Sequence, residues 1–430
     1  MLESINVHKL VLSLLQNTKV LHHLETYKNK LHFFTIMVDI LGFLTQYAAI
    51  IIFYGVIVAI LIANRKKLDV QAKFIILFRM KWGLKWMDKY AAKYREWVIL
   101  LGYIGMGAGF VGVIFISYVL IKNLWDVITI PEASSGVALV LPGVNVPGMG
   151  VLPFWYWIIA IFIIAIVHEF SHGIVARAHN LKVKNTGIVF FGPIIGAFVE
   201  PDEKKIVKEK DIVQYSILAA GAFSNILLAI FAVLLLTFVS MPLQQAMIEP
   251  TGFTFDSYVE GNYSFAQNGI IPGTLITGVN GIETKTFAPF SESLFCTLPG
   301  EEITINTVNK DYKIALGENP DNKEKSFLGI KEIRNEFNIK PKYTTGMWNV
   351  AYSILAWING FLKWLFLLSL GIGLFNLLPL PIVDGGRMAQ VFLQKLKGEE
   401  KGNSMYQKVG MFFLFVLIMN LVLPWLMNLF

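Results

Sequence analysis

The stretch IFIIAIVHEFSHGIVARA, from Ile161 to Ala178, places two histidines and a glutamate directly after a run of apolar residues. The run is apolar enough to lie in lipid, where ionisable side chains are costly and mark functional sites. His168 and His172 are four residues apart, so on a helix they lie on one face, one turn apart. Glu169 projects from an adjoining part of that face. The pattern His-Glu-x-x-His is typical of helices in which two imidazoles bind Zn²⁺ and the glutamate acts as a general base.

The composition places the rest of the chain in a membrane as well. Its 430 residues are 55% hydrophobic and 16% charged, whereas soluble domains are about 45–50% apolar and about 25% charged. The apolar excess falls in uninterrupted runs, which indicates a polytopic α-helical membrane protein. The net charge of +7 fits basic cytosolic loops, and no basic patch with interleaved aromatic residues indicates nucleic acid. Cys296 is the only cysteine, which excludes an internal disulfide or a cysteine-based zinc site.

Long apolar runs and loop charges predict both the spans and their orientation. The loop after the first run is rich in lysine and arginine, so the positive-inside rule places it in the cytosol. Alternation then puts residues 240–349 outside and the His168–His172 end of the third span in the cytosolic half of the bilayer. A multi-pass protein of the cell membrane is therefore expected. The segments long enough to cross about 30 Å of hydrocarbon are Met37–Ala63, Trp97–Ile121, Leu152–Ala176, Ile212–Val239, Val350–Leu377 and Val409–Leu429.

A catalytic zinc site needs a third protein ligand and an open position for water. Acidic residues near the predicted spans are scarce, and the best candidate is Asp384 in GLFNLLPLPIVDGGR, Gly373–Arg387. Pro379 and Pro381 must break the helix there, and the glycine pair after Asp384 allows a closely packed backbone. The fifth predicted span runs in the same direction as the third, so Asp384 is expected at the depth of the histidine pair. The alternative is a proline-terminated helix followed by a turn, with Asp384 in solvent.

Three segments together resemble the site-2 protease family of intramembrane zinc metalloproteases. HEFSH on a membrane helix, GAFSN (Gly221–Asn225) on the next span and NLLPLPIVDGG further on lie in the family's order, over roughly Leu152–Arg387. The resemblance implies hydrolysis of peptide bonds in or near the transmembrane segments of membrane-protein substrates, with one Zn²⁺ per chain.

The resemblance also implies roles for individual residues. The implied metal ligands are His168, His172 and Asp384, and the implied catalytic base is Glu169. Asn225 and Asn376 match family asparagines that position substrate or stabilise the developing oxyanion. Hydrogen bonding between helices is an equally open interpretation of both asparagines. Gly221 is expected to let two helices approach closely.

The stretch GIVFFGPIIGAFVEPDE, Gly187–Glu203, is too short and too rich in glycine and proline for a spanning helix, and it predicts a β-hairpin. Such a hairpin is tolerated in the membrane only where it is buried or lines a wet cavity. There it would offer an edge to which an extended substrate strand could pair. A plain cytosolic hairpin is the alternative. The family has a membrane-associated β-element at this place, which supports the first interpretation.

The outer insert, Thr251–Lys342, contains short β-rich runs, with Asn280–Gly281 as a hairpin turn signal. NGIIPGTLITGVNGIETKTF resembles the core of a PDZ-like domain, which many members of the family carry between the same two spans. Gly273–Thr274 stands where Gly-Asp is usual. Peptide binding and a size filter against intact ectodomains are both open roles for this domain.

The predicted fold is therefore a polytopic α-helical membrane protein of about six transmembrane helices, with an inserted extracytoplasmic β-rich PDZ-like domain and a short membrane-associated β-hairpin. Val7–Leu24 fits an interfacial amphipathic helix or a soluble helical arm equally well. The predicted parts are an N-terminal amphipathic segment (1–36), two accessory spans with a basic cytosolic loop (37–151), a protease core (152–240), the PDZ-like domain (241–345), a core helix with the third ligand (346–387), and a cytosolic loop with the last span (388–430).

The sequence favours an intramembrane zinc metalloendopeptidase active in regulated intramembrane proteolysis. The alternative is a membrane transporter or metal-handling protein that binds an ion at the His/His/Asp site. No paired repeats with matching broken helices are evident, and a transporter function does not explain a glutamate beside the first ligand. A catalytically silent scaffold is a third reading, against which the intact set of site residues speaks. The substrate, the gating step and the oligomeric state stay open.

Overall fold

The computed structural model describes residues 47–427 apart from 49, 72–74, 131–135, 138–139, 147–148, 193, 262 and 321. The predicted N-terminal amphipathic segment and the beginning of the first predicted span lie outside the described residues. The α-helices are, in chain order, α1 (Ile50–Ala63), α2 (Leu84–Lys93), α3 (Arg95–Thr129), α4 (Phe154–Ala178), α5 (Glu203–Ile206), α6 (Asp211–Leu235), α7 (Met241–Gln245), α8 (Ser264–Gln267), α9 (Phe287–Ser293), α10 (Gly346–Asn376), α11 (Asp384–Lys397) and α12 (Glu399–Met427).

The strands form antiparallel sheets. In chain order they are β1 (Leu68–Gln71), β2 (Ile75–Met80), β3 (Asn145–Val146), β4 (Gly150–Val151), β5 (Val183–Phe191), β6 (Ile194–Pro201), β7 (Ile248–Tyr258), β8 (Ile276–Val279), β9 (Ile282–Glu283), β10 (Glu302–Thr307), β11 (Tyr312–Ala315), β12 (Gly317–Glu318), β13 (Ser326–Phe327) and β14 (Ile330–Ile339).

Five helical segments of the described residues are long and apolar enough to cross a membrane. They are Arg95–Thr129, Phe154–Ala178, Asp211–Gln245, Gly346–Asn376 and Glu399–Pro424. Each coincides with one predicted span, and the first of them is eight residues longer at its carboxyl end than the predicted Trp97–Ile121. The described part of the predicted span Met37–Ala63 is the apolar helix α1, which is shorter than a span. The chain is thus a polytopic membrane protein, and a sixth span stays a prediction.

The chain divides into two compact units, Met1–Ser224 with Phe375–Phe430, and Asn225–Leu374. The first unit contains a four-stranded sheet in the order β1-β2-β5-β6. The predicted hairpin is present as β5 and β6, and it begins at Val183, four residues before the predicted start. The predicted hairpin is part of a larger sheet, since β1 and β2, which lie in the segment predicted as a basic loop, continue it beyond β5. The apolar run Ile75–Phe78 is short and lies between Lys73 and Arg79, so its strand signal was weak.

Close helix packing in the first unit depends on small residues of α3. Gly102, Gly105, Gly109 and Gly112 are buried on one face of this helix, which is otherwise largely exposed. A Cβ at Gly109 would lie 3.1 Å from the Cβ of Ala219 in α6. Interhelical packing in membranes relies on such small residues, because lipid gives no hydrophobic drive for helices to associate. This face therefore holds α3 against α6, and the exposed apolar side chains are left for lipid.

The second unit carries the β-rich domain, a sheet in the order β11-β10-β8-β7-β14 with β9 paired to β8. Successive strand residues alternate between two faces, so every second side chain faces the core. The core-facing side chains are mainly aromatic and branched. Asn280 and Gly281 both have positive φ, 52° and 81°, and join β8 to β9, as the turn signal predicts. The largest fully buried side chains include Phe253, Phe255, Phe265, Phe290, Ile276, Ile303 and Ile305. The domain is β-rich as predicted, and its PDZ-like character stays a prediction.

Candidate active site

Helix α4 carries His168, Glu169 and His172 near its carboxyl end. Residues 154–167 are apolar and contain neither glycine nor proline, so the helix runs unbroken up to this point. The spacing of four stacks the two imidazoles on one face, with their Nε2 atoms 3.2 Å apart. The two side chains are only 12% and 13% exposed. The Nε2 atoms of both imidazoles therefore face the same buried point.

A backbone carbonyl of α6 orients the second imidazole. His172 Nδ1 lies 2.7 Å from the carbonyl oxygen of Ile217. A carbonyl oxygen only accepts, so Nδ1 carries the proton and donates it. The lone pair of His172 Nε2 is then left for a cation, which is the tautomer that metal-binding histidines need. No side-chain pattern marks Ile217 in the sequence, because it contributes only its backbone.

The break between α10 and α11 brings Asp384 to the same point. Helix α10 ends at Asn376, prolines 379 and 381 follow, and α11 begins at Asp384 itself. The backbone after Asp384 is packed so closely that a Cβ at Gly386 would overlap the carbonyl oxygen of Leu380. In this position Asp384 Oδ2 lies 3.2 Å from His168 Nε2 and 3.3 Å from His172 Nε2. The carboxyl group is 14% exposed and not in open solvent.

These donors fit a divalent metal ion. Tetrahedral zinc lies about 2.0–2.2 Å from each nitrogen or oxygen ligand, which separates the ligand atoms by about 3.3–3.6 Å. The three donor–donor distances, 3.2, 3.2 and 3.3 Å, are close to that spacing. Among the described residues, Asp384 Oδ2 is buried without a hydrogen bond of acceptable geometry, although both imidazoles are near. A buried carboxylate oxygen in that state is well suited to ligate a cation. These three residues form the one candidate metal group of the described chain.

Glu169 is held by the hairpin instead of by the donor group. Its Oε2 accepts a hydrogen bond of 3.0 Å from the backbone N–H of Val199 in β6. β6 is the outer strand of its sheet in the described structure, so this N–H is not needed for pairing with β5. Helix α4 and the hairpin are thereby joined at the residue next to His168.

Gly221 of α6 lies directly against the two imidazoles. A Cβ at this position would overlap His172 Nε2 and would lie 2.6 Å from His168 Nε2. A close helix approach was expected at Gly221. The approach is to the donor nitrogens themselves, which no sequence pattern indicates, because only the fold shows which face of α6 meets α4.

The two asparagines implied by the resemblance lie in different surroundings. Asn376 is the half-buried last residue of α10, and in the described structure its side chain makes no hydrogen bond to the three donors. Asn225 belongs to the second unit, where it is fully buried. Its backbone carbonyl accepts a hydrogen bond of 2.7 Å from Ser369 Oγ. The roles of both asparagines stay predictions.

Helices apolar enough to span a membrane, a convergent His/His/Asp group and an adjacent glutamate fit a membrane protein of the metallopeptidase class. Comparison with known families agrees with that class. The model of peptidase family M50 matches residues 156–417, more than half of the chain. The chain therefore belongs to peptidase family M50, the family of the site-2 proteases, and the resemblance inferred from the sequence is confirmed. Membership of a peptidase family does not favour the transporter alternative.

Two individual proteins are also similar to this chain. An uncharacterised protein of Methanocaldococcus jannaschii is 28% identical over 342 residues, which cover 78% of this chain and 81% of that protein. Protease RseP of Photorhabdus luminescens is 38% identical over 66 residues, which cover 15% of this chain and 29% of that protease. The second similarity is therefore confined to a short part of both proteins.

Proposed function

We propose that the chain is an intramembrane zinc endopeptidase that hydrolyses peptide bonds in or near the transmembrane segments of other membrane proteins. One Zn²⁺ would be held by His168, His172 and Asp384. The observation that carries the proposal is the convergence of these three donors beside Glu169, in a unit whose long helices are apolar enough to span a membrane. When bound, Zn²⁺ supplies Lewis acidity, which makes water nucleophilic near neutral pH.

Glu169 acts as the general base and then as the general acid. Its carboxylate takes a proton from the attacking water and passes it to the leaving amine. The Val199 N–H occupies Oε2, so Oε1 is the oxygen assigned to carry the proton. The contact also keeps the carboxylate from turning toward the imidazoles, because rotation would break the hydrogen bond. Val199 is thus a positioning residue that acts through Glu169.

The substrate is bound as an extended strand along β6. A helical substrate hides its backbone, whereas an added strand exposes the bond to be cut and pairs with an open sheet edge. The backbone N–H and C=O groups of successive strand residues point alternately to the two sides of the strand. The groups of the residues two and four positions before Val199 therefore point to the same side as the Val199 N–H. These residues are Ala197 and Ile195, which lie opposite Ile188 and Phe190 of β5. The available edge therefore ends beside Glu169.

The remaining assignments follow the family resemblance and the loop charges. Asn225 and Asn376 would position the substrate or stabilise the developing oxyanion. The site would lie in the cytosolic half of the bilayer, with the PDZ-like domain outside the cytosol as a size filter or a peptide-binding module. Regulated intramembrane proteolysis is the process in which such an enzyme acts.

The proposal is tested by measuring zinc content and cleavage on the same preparations. The full chain and its Asp384→Ala variant are purified in detergent, assayed for bound zinc, and given a membrane-protein substrate in vesicles. We expect about one zinc per chain and cleavage for the native chain, and loss of both for Asp384→Ala. Asp311→Ala, which removes an exposed carboxylate of the β-rich domain, is the matched control and should change neither. An Asp384→Ala variant that keeps full zinc content would contradict the ligand assignment.

A further inference from the structure

Helix α2 and the residues beside it present two exposed ridges that the proposed peptidase activity does not use. We propose that α2 lies in the membrane interface and binds anionic phospholipid headgroups, and that it thereby fixes the depth of the candidate site in the bilayer. The inference concerns lipid binding and does not depend on proteolysis.

The first ridge is aromatic. Trp82, Trp86, Tyr90 and Tyr94 follow one another at intervals of four, and they are 68%, 67%, 43% and 42% exposed. The rings of Trp86, Tyr90 and Tyr94 form a continuous strip, since the centroids of Trp86 and Tyr90, and of Tyr90 and Tyr94, are 6.2 Å apart. Such a strip is costly in water. Tryptophan and tyrosine are the side chains enriched where a bilayer meets water, because one end of each is apolar and the other polar.

The second ridge is basic. Each aromatic residue is preceded by an exposed lysine. Within α2, Lys85 and Lys89 lie about 100° round the helix axis from Trp86 and Tyr90. The acidic Asp88 does not offset the basic ridge, because its carboxylate pairs with Arg177 of α4 at 3.0 Å. Lysines beside an apolar face attract anionic lipid headgroups. The ridge consists of Lys81, Lys85, Lys89 and Lys93.

The third face of α2 is buried against helix α4. Met87 is fully buried, and a Cβ at Gly173 of α4 would lie 2.7 Å from its sulfur. The ring of Phe170, the residue after Glu169, lies 6.0 Å from the ring of Trp82. The turn of α4 that bears the candidate site is therefore attached to α2, and the depth of one sets the depth of the other.

The chain itself places α2 at the membrane surface. α2 ends at Lys93, and the apolar helix α3, a candidate span, begins at Arg95. Trp97 in its first turn is 68% exposed, as a residue at the interface would be. With the buried ridge against α4, the aromatic ridge faces acyl chains and the lysines extend sideways among phosphates. An acidic protein would satisfy the lysines only, so the adjoining aromatic strip favours lipid as the partner.

A nitroxide on the full chain tests the inference directly. Cys296→Ser removes the native thiol, Tyr90→Cys carries the label, and Lys313→Cys on the exposed surface of the β-rich domain carries it in the reference protein. The proteins are reconstituted in vesicles of phosphatidylcholine with or without phosphatidylglycerol. The measurement is the collision of the nitroxide with a water-soluble nickel chelate and with oxygen. We expect the label at 90 to be shielded from nickel and open to oxygen in anionic vesicles, unlike the label at 313.

Neutralising the lysine ridge distinguishes attraction of the lysines to anionic lipid from burial of the aromatic side chains alone. Replacing its four lysines by glutamine should raise nickel access at position 90 in anionic vesicles to the level seen without phosphatidylglycerol. The same change at four exposed lysines of the β-rich domain should leave access unchanged. Those control positions are Lys310, Lys323, Lys325 and Lys331. Equal nickel access at 90 and 313 would overturn the interfacial placement, and indifference to both phosphatidylglycerol and the ridge lysines would overturn anionic-lipid binding. Neither result bears on zinc content or cleavage.

Discussion

At the scale of single residues, the candidate site depends on atoms that carry no obvious signal in the sequence. The spacing of His168 and His172 and the proline-broken segment before Asp384 predicted which side chains would meet. The carbonyl of Ile217 and the absent side chain of Gly221 could not be predicted in the same way. A backbone carbonyl has no residue signature, and a glycine in a membrane helix equally fits ordinary close packing. Both features become specific only when α6 is placed against α4.

Replacing Gly221 by alanine should damage the metal site while leaving the helix intact. The added Cβ would overlap the donor nitrogen of His172, so the imidazoles must move apart. We expect zinc affinity to fall by about 10–100-fold, as when a group that orients a ligand is lost. Competition with a chelator of known affinity measures this change. Gly107→Ala is the control, since nothing lies within 4 Å of a Cβ there, and an unchanged affinity in Gly221→Ala would contradict the account.

At the scale of elements, long apolar runs and turn residues could be read directly, whereas short strands could not. The five described spans and the β5–β6 hairpin have strong local signals, namely length in the first case and glycine and proline in the second. β1 and β2 were missed because a four- or six-residue strand among basic residues looks like a polar loop. The consequence is functional, since β2 covers the far side of β5 and β6 is left as the open edge of the hairpin, where Val199 meets Glu169.

Val199→Pro tests whether the sheet edge positions the base. Proline removes the N–H that Glu169 accepts, yet this N–H lies outside the β5 pairing, where proline is tolerated. We expect kcat to fall by about 10–100-fold with zinc content unchanged. Phe198→Pro is the contrasting variant. The Phe198 N–H points toward β5, so removing it should lower the temperature of unfolding. A Val199→Pro enzyme with native kcat would show that the hydrogen bond has no role.

At the scale of the whole molecule, the sequence predicts the class of fold more fully than its assembly. Hydropathy and loop charge are additive along the chain, so a polytopic protein with a large outer insert followed from them. The division at Ser224 and Leu374 runs through two helices, α6 and α10, and no composition change marks it. The contact between α4 and the segment that bears Asp384 likewise depends on tertiary packing. In the sequence it was indicated only by the expected common depth of the two motifs in the bilayer.

The orientation of the whole molecule can be tested at its single thiol. Cys296 is exposed in the β-rich domain, which the positive-inside rule places outside the cytosol. A membrane-impermeant maleimide should therefore label intact cells, and Cys296→Ser should abolish the signal. Labelling that occurs only after lysis would reverse the predicted orientation.

The central claim is that a metal-bearing site hydrolyses peptide bonds with Glu169 as the base, and Glu169→Gln tests it most directly. Glutamine keeps the size of the side chain but cannot take up the proton. Cleavage of a membrane substrate and bound zinc are measured on the same vesicles. The account predicts unchanged zinc content and a loss of rate of about 10²–10⁴-fold. Cleavage by Glu169→Gln at the native rate would contradict it.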